Sequence, residues 1–213
     1  MENLFNYNNK VFTTMAKITD SILLGLLWLL CSIPIITIGA SSAAFYYAYT
    51  KCIRQDRGYI GEAFFHGFKT SFKYATVSWL VQIIVGAIVL IDCVLLTTMG
   101  GFSPISGVLL AIVIIVLVVS VLLALLLFPY IARYENTLKE SIKNCVLILF
   151  SNFLWAVLLL ILLCVTVFVA ACFPVLVIIL PSVYMFFANK ILEHVFQKYM
   201  RPDDLEVQKQ FEQ

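Results

Sequence analysis

Long apolar runs alternate with short charged connections along this chain, and that alternation predicts an all-α, polytopic integral membrane helix bundle. The runs are Ser21 to about Ile38, Thr76 to Leu96, Val108 to Phe128, a stretch from about Val146 or Leu154 to Cys172, and Val175 to about Ala188. A membrane-crossing helix needs about 20 largely apolar residues, so the pattern predicts about five transmembrane helices. They form one domain over residues 21–192. An interfacial segment (1–20) precedes it and a cytoplasmic tail (193–213) follows. Two connections carry helical periodicity. Leu4, Val11, Phe12, Met15 and Ile18 lie on one face of an amphipathic N-terminal helix. Phe64, Phe65, Phe68 and Phe72 form a stripe opposite Glu62, His66, Lys69 and Lys73, as in a helix lying flat in the interface.

The first run is irregular. Pro34 removes a backbone donor and clashes with the preceding turn, so a helix entering from Ser21 should kink or stop near Cys31–Ser32. The patch that follows contains Gly39, Ala40, Ser41, Ala43 and Ala44. With Pro34 these are the candidate helix-packing residues, because small side chains let helix backbones approach closely in lipid. Two paths are open. Five spans place the N-terminus outside, and this is the favoured reading. Alternatively Ser21–Thr50 enters and returns as a bent hairpin turning at Pro34–Gly39, which places the N-terminus inside.

Composition agrees with the pattern. Of 213 residues, 62% are hydrophobic and only 12% charged, and the mean hydropathy is +1.01. A soluble domain carries about a quarter charged residues. The net charge of +2 gives no basis for nucleic-acid binding. Lys10 and Lys17 apart, every lysine and arginine lies after the first or third span or in the polar C-terminal segment from Asn189 onward. The positive-inside rule then makes those connections and the C-terminus cytoplasmic. A cleaved leader is not expected, because residues 1–20 are too polar and more spans follow.

Little of the sequence resembles chemistry. The six cysteines are scattered without a CxxC pair and read as small hydrophobes. No paired carboxylates, GxSxG, HExxH or phosphate loop occurs, so no catalytic residue, metal ligand or cofactor is assigned. Asp92 is the one acidic residue inside a clear span and is the candidate intramembrane ionisable group. Arg54, Arg57, Lys69 and Lys73 form a candidate cytoplasmic docking surface. Ser41, Ser42, Ser151 and Asn152 read as polar groups bonding between helices, and Glu193 with His194 as a solvated face.

Several stretches resemble the YesL-like membrane proteins, the domain-of-unknown-function family 624. They are LLWLLCSIPIITIGASSAAFYYAYTKCIR, the Gly58-Tyr59 pair, FFHGFKTSFKYATVSWL, FPYIARYENTLKESIKN and HVFQKYM. The resemblance implies a small multi-pass protein of the bacterial cytoplasmic membrane. Genes for such proteins often lie beside carbohydrate ABC-transporter genes. No activity is established for the family, so no catalytic role carries over. The expectation is a non-enzymatic accessory protein of carbohydrate uptake that partners the bilayer and ABC-transporter membrane subunits, with oligomeric state open. The alternative is a small-solute transporter or channel, proton-linked through Asp92.

Overall fold

The computed structural model describes residues 10–98, 104–134 and 136–199. The first part of the N-terminal segment, the centre of the turn after the second span, Glu135 and most of the C-terminal tail lie outside the described residues. Among the described residues the chain forms seven α-helices and no strand: α1 (Lys10–Ser32), α2 (Ile38–Ala48), α3 (Ile60–Thr98), α4 (Pro104–Arg133), α5 (Leu138–Ser151), α6 (Phe153–Cys172) and α7 (Leu180–Gln197). Four stretches are long and apolar enough to cross a membrane, namely Met15–Ser32, Ile60–Leu95, Gly107–Arg133 and Phe153–Cys172. The protein is a membrane helix bundle.

At Pro34 the chain takes the hairpin path, not the favoured single bent span. α1 stops at Ser32, a 3-10 turn covers Ile35–Thr37, and α2 returns alongside α1. The antiparallel register is fixed at both ends. Trp28 Nε1 donates to Ser42 Oγ at 3.3 Å, and the Trp28 and Phe45 rings stack with centroids 6.2 Å apart. At the open end, Lys17 pairs with Asp56 at 2.8 Å. Lys17 therefore lies at the same end of the bundle as Lys51 to Arg57.

Backbone that leaves the helix at membrane depth needs other donors for its carbonyls. This turn supplies them from two side chains. The Thr37 hydroxyl lies 2.6 Å from the Cys31 carbonyl and 2.7 Å from that of Pro34. Trp79 Nε1, on α3, donates to the Ile35 carbonyl at 2.6 Å.

The small-residue patch seats α2 on α3 and α4. Gly39, Ala40, Ser41, Ala43 and Ala44 are all buried, and Pro34 stays exposed at the turn. A Cβ on Gly39 would lie 2.6 Å from the Ala75 carbonyl oxygen and 2.7 Å from Trp79 Cβ. A few turns along, Gly67 of α3 receives the Tyr47 ring, which would stand 3.0 Å from a Cβ there.

Three further differences from the sequence reading have local causes. The expected flat helix and second span are one unbroken helix, α3, of 39 residues. No proline or capping residue interrupts it, and at 1.5 Å per residue it is about 58 Å long, against about 30 Å of hydrocarbon. Its first turns, with Glu62, His66, Lys69 and Lys73 exposed, supply the surplus. The aromatic stripe there is split: Phe64 is fully buried in the core, while Phe65 is 56% exposed.

The second difference is at Pro129, where the third span was expected to end. α4 instead continues through it to Arg133. The third concerns Val175–Ala188, which is not one continuous span. A 3-10 turn at Pro174–Ile178 separates α6 from α7, and α7 runs on to Gln197. α5 begins at a capping box in which Thr137 and Glu140 satisfy each other's backbone N–H groups, and Asn152 separates it from α6.

Three outcomes follow. Gly39→Ala is expected to destabilise the protein by about 1–3 kcal/mol, because backbone and Trp79 occupy the added methyl's space. Gly86→Ala meets nothing within 4 Å and is expected to leave the melting temperature in detergent unchanged or higher. In a cysteine-free background, cysteines at positions 17 and 56 are expected to react with an impermeant thiol reagent from the same membrane face; labelling from opposite faces would rule out the hairpin.

Candidate functional site

The most concentrated chemistry among the described residues lies where α2, α4 and α7 meet. Glu193 is on the last-but-one turn of α7 and is 1% exposed. Alternation along α7 puts it there, since Met185, Asn189 and Phe196 share its helix face and are buried with it. The sequence reading placed Glu193 on a solvated face; burial corrects this.

Three donors converge on the carboxylate. The buried Tyr46 hydroxyl, from α2, donates to Oε1 at 2.7 Å. The Arg133 guanidinium, from the last residue of α4, donates to the same oxygen and lies 3.4 Å from the Tyr46 hydroxyl. Arg54 faces Oε2 at 3.4 Å.

Local structure positions each partner. The α2 helix does not end in a normal cap but widens into a π turn over Tyr49–Arg54, closed by Gln55 N–H donating to the Thr50 carbonyl at 3.1 Å. π turns are uncommon and frequent at functional sites, and this one carries Arg54. Arg133 reaches Glu193 because α4 passes Pro129. Its guanidinium also lies 5.8 Å from the Tyr134 and Phe196 ring centroids, within cation–π range. Phe196 meets Tyr46 edge-on at 6.4 Å. One turn before Glu193, the buried Asn189 donates to Thr50 Oγ1 at 2.8 Å.

Burial alone would push the Glu193 carboxyl up. The hydrogen bond and charge of Arg133, the Tyr46 hydroxyl and the charge of Arg54 outweigh it, and the carboxyl sits below its ordinary value. Glu193 is therefore an ionised structural anion, not a proton carrier near neutrality. Burial pushes the Cys145 thiol, on α5, up to about 12, so it is an unreactive core group.

Two clefts flank the cluster. A groove of about 750 Å³ lies between α1, the π turn and α7 and reaches Arg54, Asn189 and Glu193. A smaller cleft of about 300 Å³ is lined by Tyr46, Tyr47, Lys51, Arg57 and Arg133.

The four docking candidates are not one surface. Arg54 turns inward to Glu193, Arg57 lines the small cleft, and Lys69 and Lys73 are exposed on α3. Asp92 is half-buried on α3, lines neither cleft and has no hydrogen bond or ion pair among the described residues. Of the other polar candidates, Asn152 donates to the Tyr199 hydroxyl at 2.6 Å, and the buried Ser41 hydroxyl has no partner among the described residues. No group of three or more His, Cys, Asp and Glu that could hold a metal occurs among the described residues.

Fold and site together define a membrane helix bundle locked internally by a tyrosine–carboxylate–arginine cluster. Residues 22–93 match the family model described as "Protein of unknown function, DUF624", and over that stretch the YesL-like resemblance is consistent with this family. The matched segment holds the hairpin turn, Tyr46, Arg54 and most of α3. No curated protein and no solved structure matches the chain.

Removing the Glu193 carboxylate would leave two arginines facing a buried gap. Glu193→Ala is expected to cost about 3–5 kcal/mol, and Tyr46→Phe about 1–3 kcal/mol. Because the folded carboxyl titrates below its unfolded value, its contribution is fully present above the unfolded value and is lost as pH falls through the folded one. The melting temperature should therefore drop on acidification in the wild type and respond less in Glu193→Gln.

Proposed function

We propose that the protein is a non-enzymatic accessory component of the bacterial cytoplasmic membrane, multi-pass with its C-terminus cytoplasmic, associated with carbohydrate uptake by ABC transporters. The observation that carries this reading is a division of labour among charged groups. The buried ones are engaged with one another, with Arg54 and Arg133 on Glu193, so they hold the bundle together. Lys69 and Lys73 instead stand exposed on the first turns of α3, where a partner's acidic surface can reach them. A bundle whose buried charges pair with one another and whose exposed lysines form an outward basic edge suits docking better than turnover. The carbohydrate link comes from the YesL-like resemblance and its gene neighbourhood. Orientation rests on the basic residues Lys17, Lys51, Arg57 and Arg133 lying toward one end of the bundle.

Gentle purification of the tagged full chain, probed for the membrane subunits of carbohydrate ABC transporters, tests this. Co-purification is expected in the wild type and in Asp92→Asn, and is lost in the double variant Lys69→Glu/Lys73→Glu. Absence of those subunits from the wild type, or their retention by the double variant, would overturn the reading. Loss of solute flux in liposomes on Asp92→Asn would favour a proton-linked transporter instead.

A further inference from the structure

The groove between α1, the π turn and α7 has two chemically different ends. Lys17, Arg54 and Lys190 lie at one, and Ile22, Ile179 and Val183 form an apolar wall leading away from them. We propose that this groove binds an anionic phospholipid, with the phosphate among the three cations and an acyl chain along the apolar wall.

The open edge of the groove favours an occupant from the bilayer. Ile18, Ile179, Val183 and Phe186 are each 44–55% exposed there. Four large apolar side chains beside one opening suit hydrocarbon, not water. Depth agrees with this, since Lys17 lies at the start of the Met15–Ser32 membrane stretch and Ile22 is more than a turn further in. The cations thus stand at head-group level and the apolar wall below them. Basic pockets between membrane helices on the cytoplasmic side recognise anionic head groups in this way.

Charge agrees as well. Among the described residues of the lining, Lys17, Arg54 and Lys190 outnumber Glu193, the one carboxylate there, which Arg133 also pairs from outside the groove. Lys190 lies 4.4 Å from the Phe186 ring centroid at the groove edge. The partner of Lys17, Asp56, is 64% exposed, and an exposed pair of this kind is weak enough to exchange for a phosphate. A soluble anion would use the cations and leave the apolar wall unfilled; a lipid uses both.

Native mass spectrometry of the full chain released from nanodiscs tests the site. The nanodiscs would contain phosphatidylglycerol and phosphatidylcholine in equal amounts. Retention of phosphatidylglycerol over phosphatidylcholine is expected, falling by about fivefold for each of Lys17→Gln and Lys190→Gln. Lys139→Gln and Lys143→Gln, on exposed positions of α5, remove equal charge away from the groove and are expected to retain the lipid. Val183→Trp is expected to displace lipid with every charge intact. Equal retention of both lipids, or loss of preference in the α5 variants to the same degree, would overturn the proposal. So would displacement by glycerol phosphate as effective as by lipid, which would identify a soluble anion. A normal melting temperature in phosphatidylcholine alone shows that each variant is folded.

Discussion

A carboxylate withdrawn from water must either neutralise or be fully paired, and the bundle is arranged around the second solution. Glu193 keeps its charge because a phenol and two guanidiniums come from separate elements to meet it. Each arrival constrains a whole helix. α2 must return far enough to bring Tyr46 level with α7, and α4 must continue beyond its proline to deliver Arg133. An uncompensated charge here would cost more than any single apolar contact nearby, so the cluster penalises every misassembled arrangement of these helices.

The second constraint is the backbone at the α1–α2 turn. A non-helical segment at membrane depth survives only when buried in protein or given donors. Thr37 provides for carbonyls within its own turn, and Trp79 reaches across from α3. Trp79 thereby links the turn to the helix packing, because the residue that caps the turn also lies against Gly39, where α2 meets α3. Shape and hydrogen bonding fix one register between these helices.

The apolar runs were legible because bilayer thickness imposes a length that composition alone reveals. The hairpin was not: hydropathy divides Ser21–Thr50 into arms of about 15 residues, short of a usual span, whereas α1 begins at Lys10, and the donors that permit the turn include Trp79, 44 residues from the carbonyl it serves. Pro129 misled as a helix end because proline's missing donor does not stop a helix whose neighbours hold it. Glu193 looked solvated beside His194, yet a signal existed: it lies four residues from Asn189 and three from Phe196, on the buried stripe of α7. The small-residue patch announced a close approach. Which helix approaches it depends on tertiary contacts that no local pattern carries.

The π turn at Tyr49–Arg54 has a consequence for how chain length relates to function here. A π winding accommodates one residue more than the same rise of α-helix, and each residue advances the side-chain direction by about 100°. The surplus residue works as an angular spacer: it turns Arg54 inward to Glu193 while leaving α2 seated on α3. A homologous chain one residue shorter here would keep its hydropathy profile and its small-residue patch intact, yet aim its arginine elsewhere.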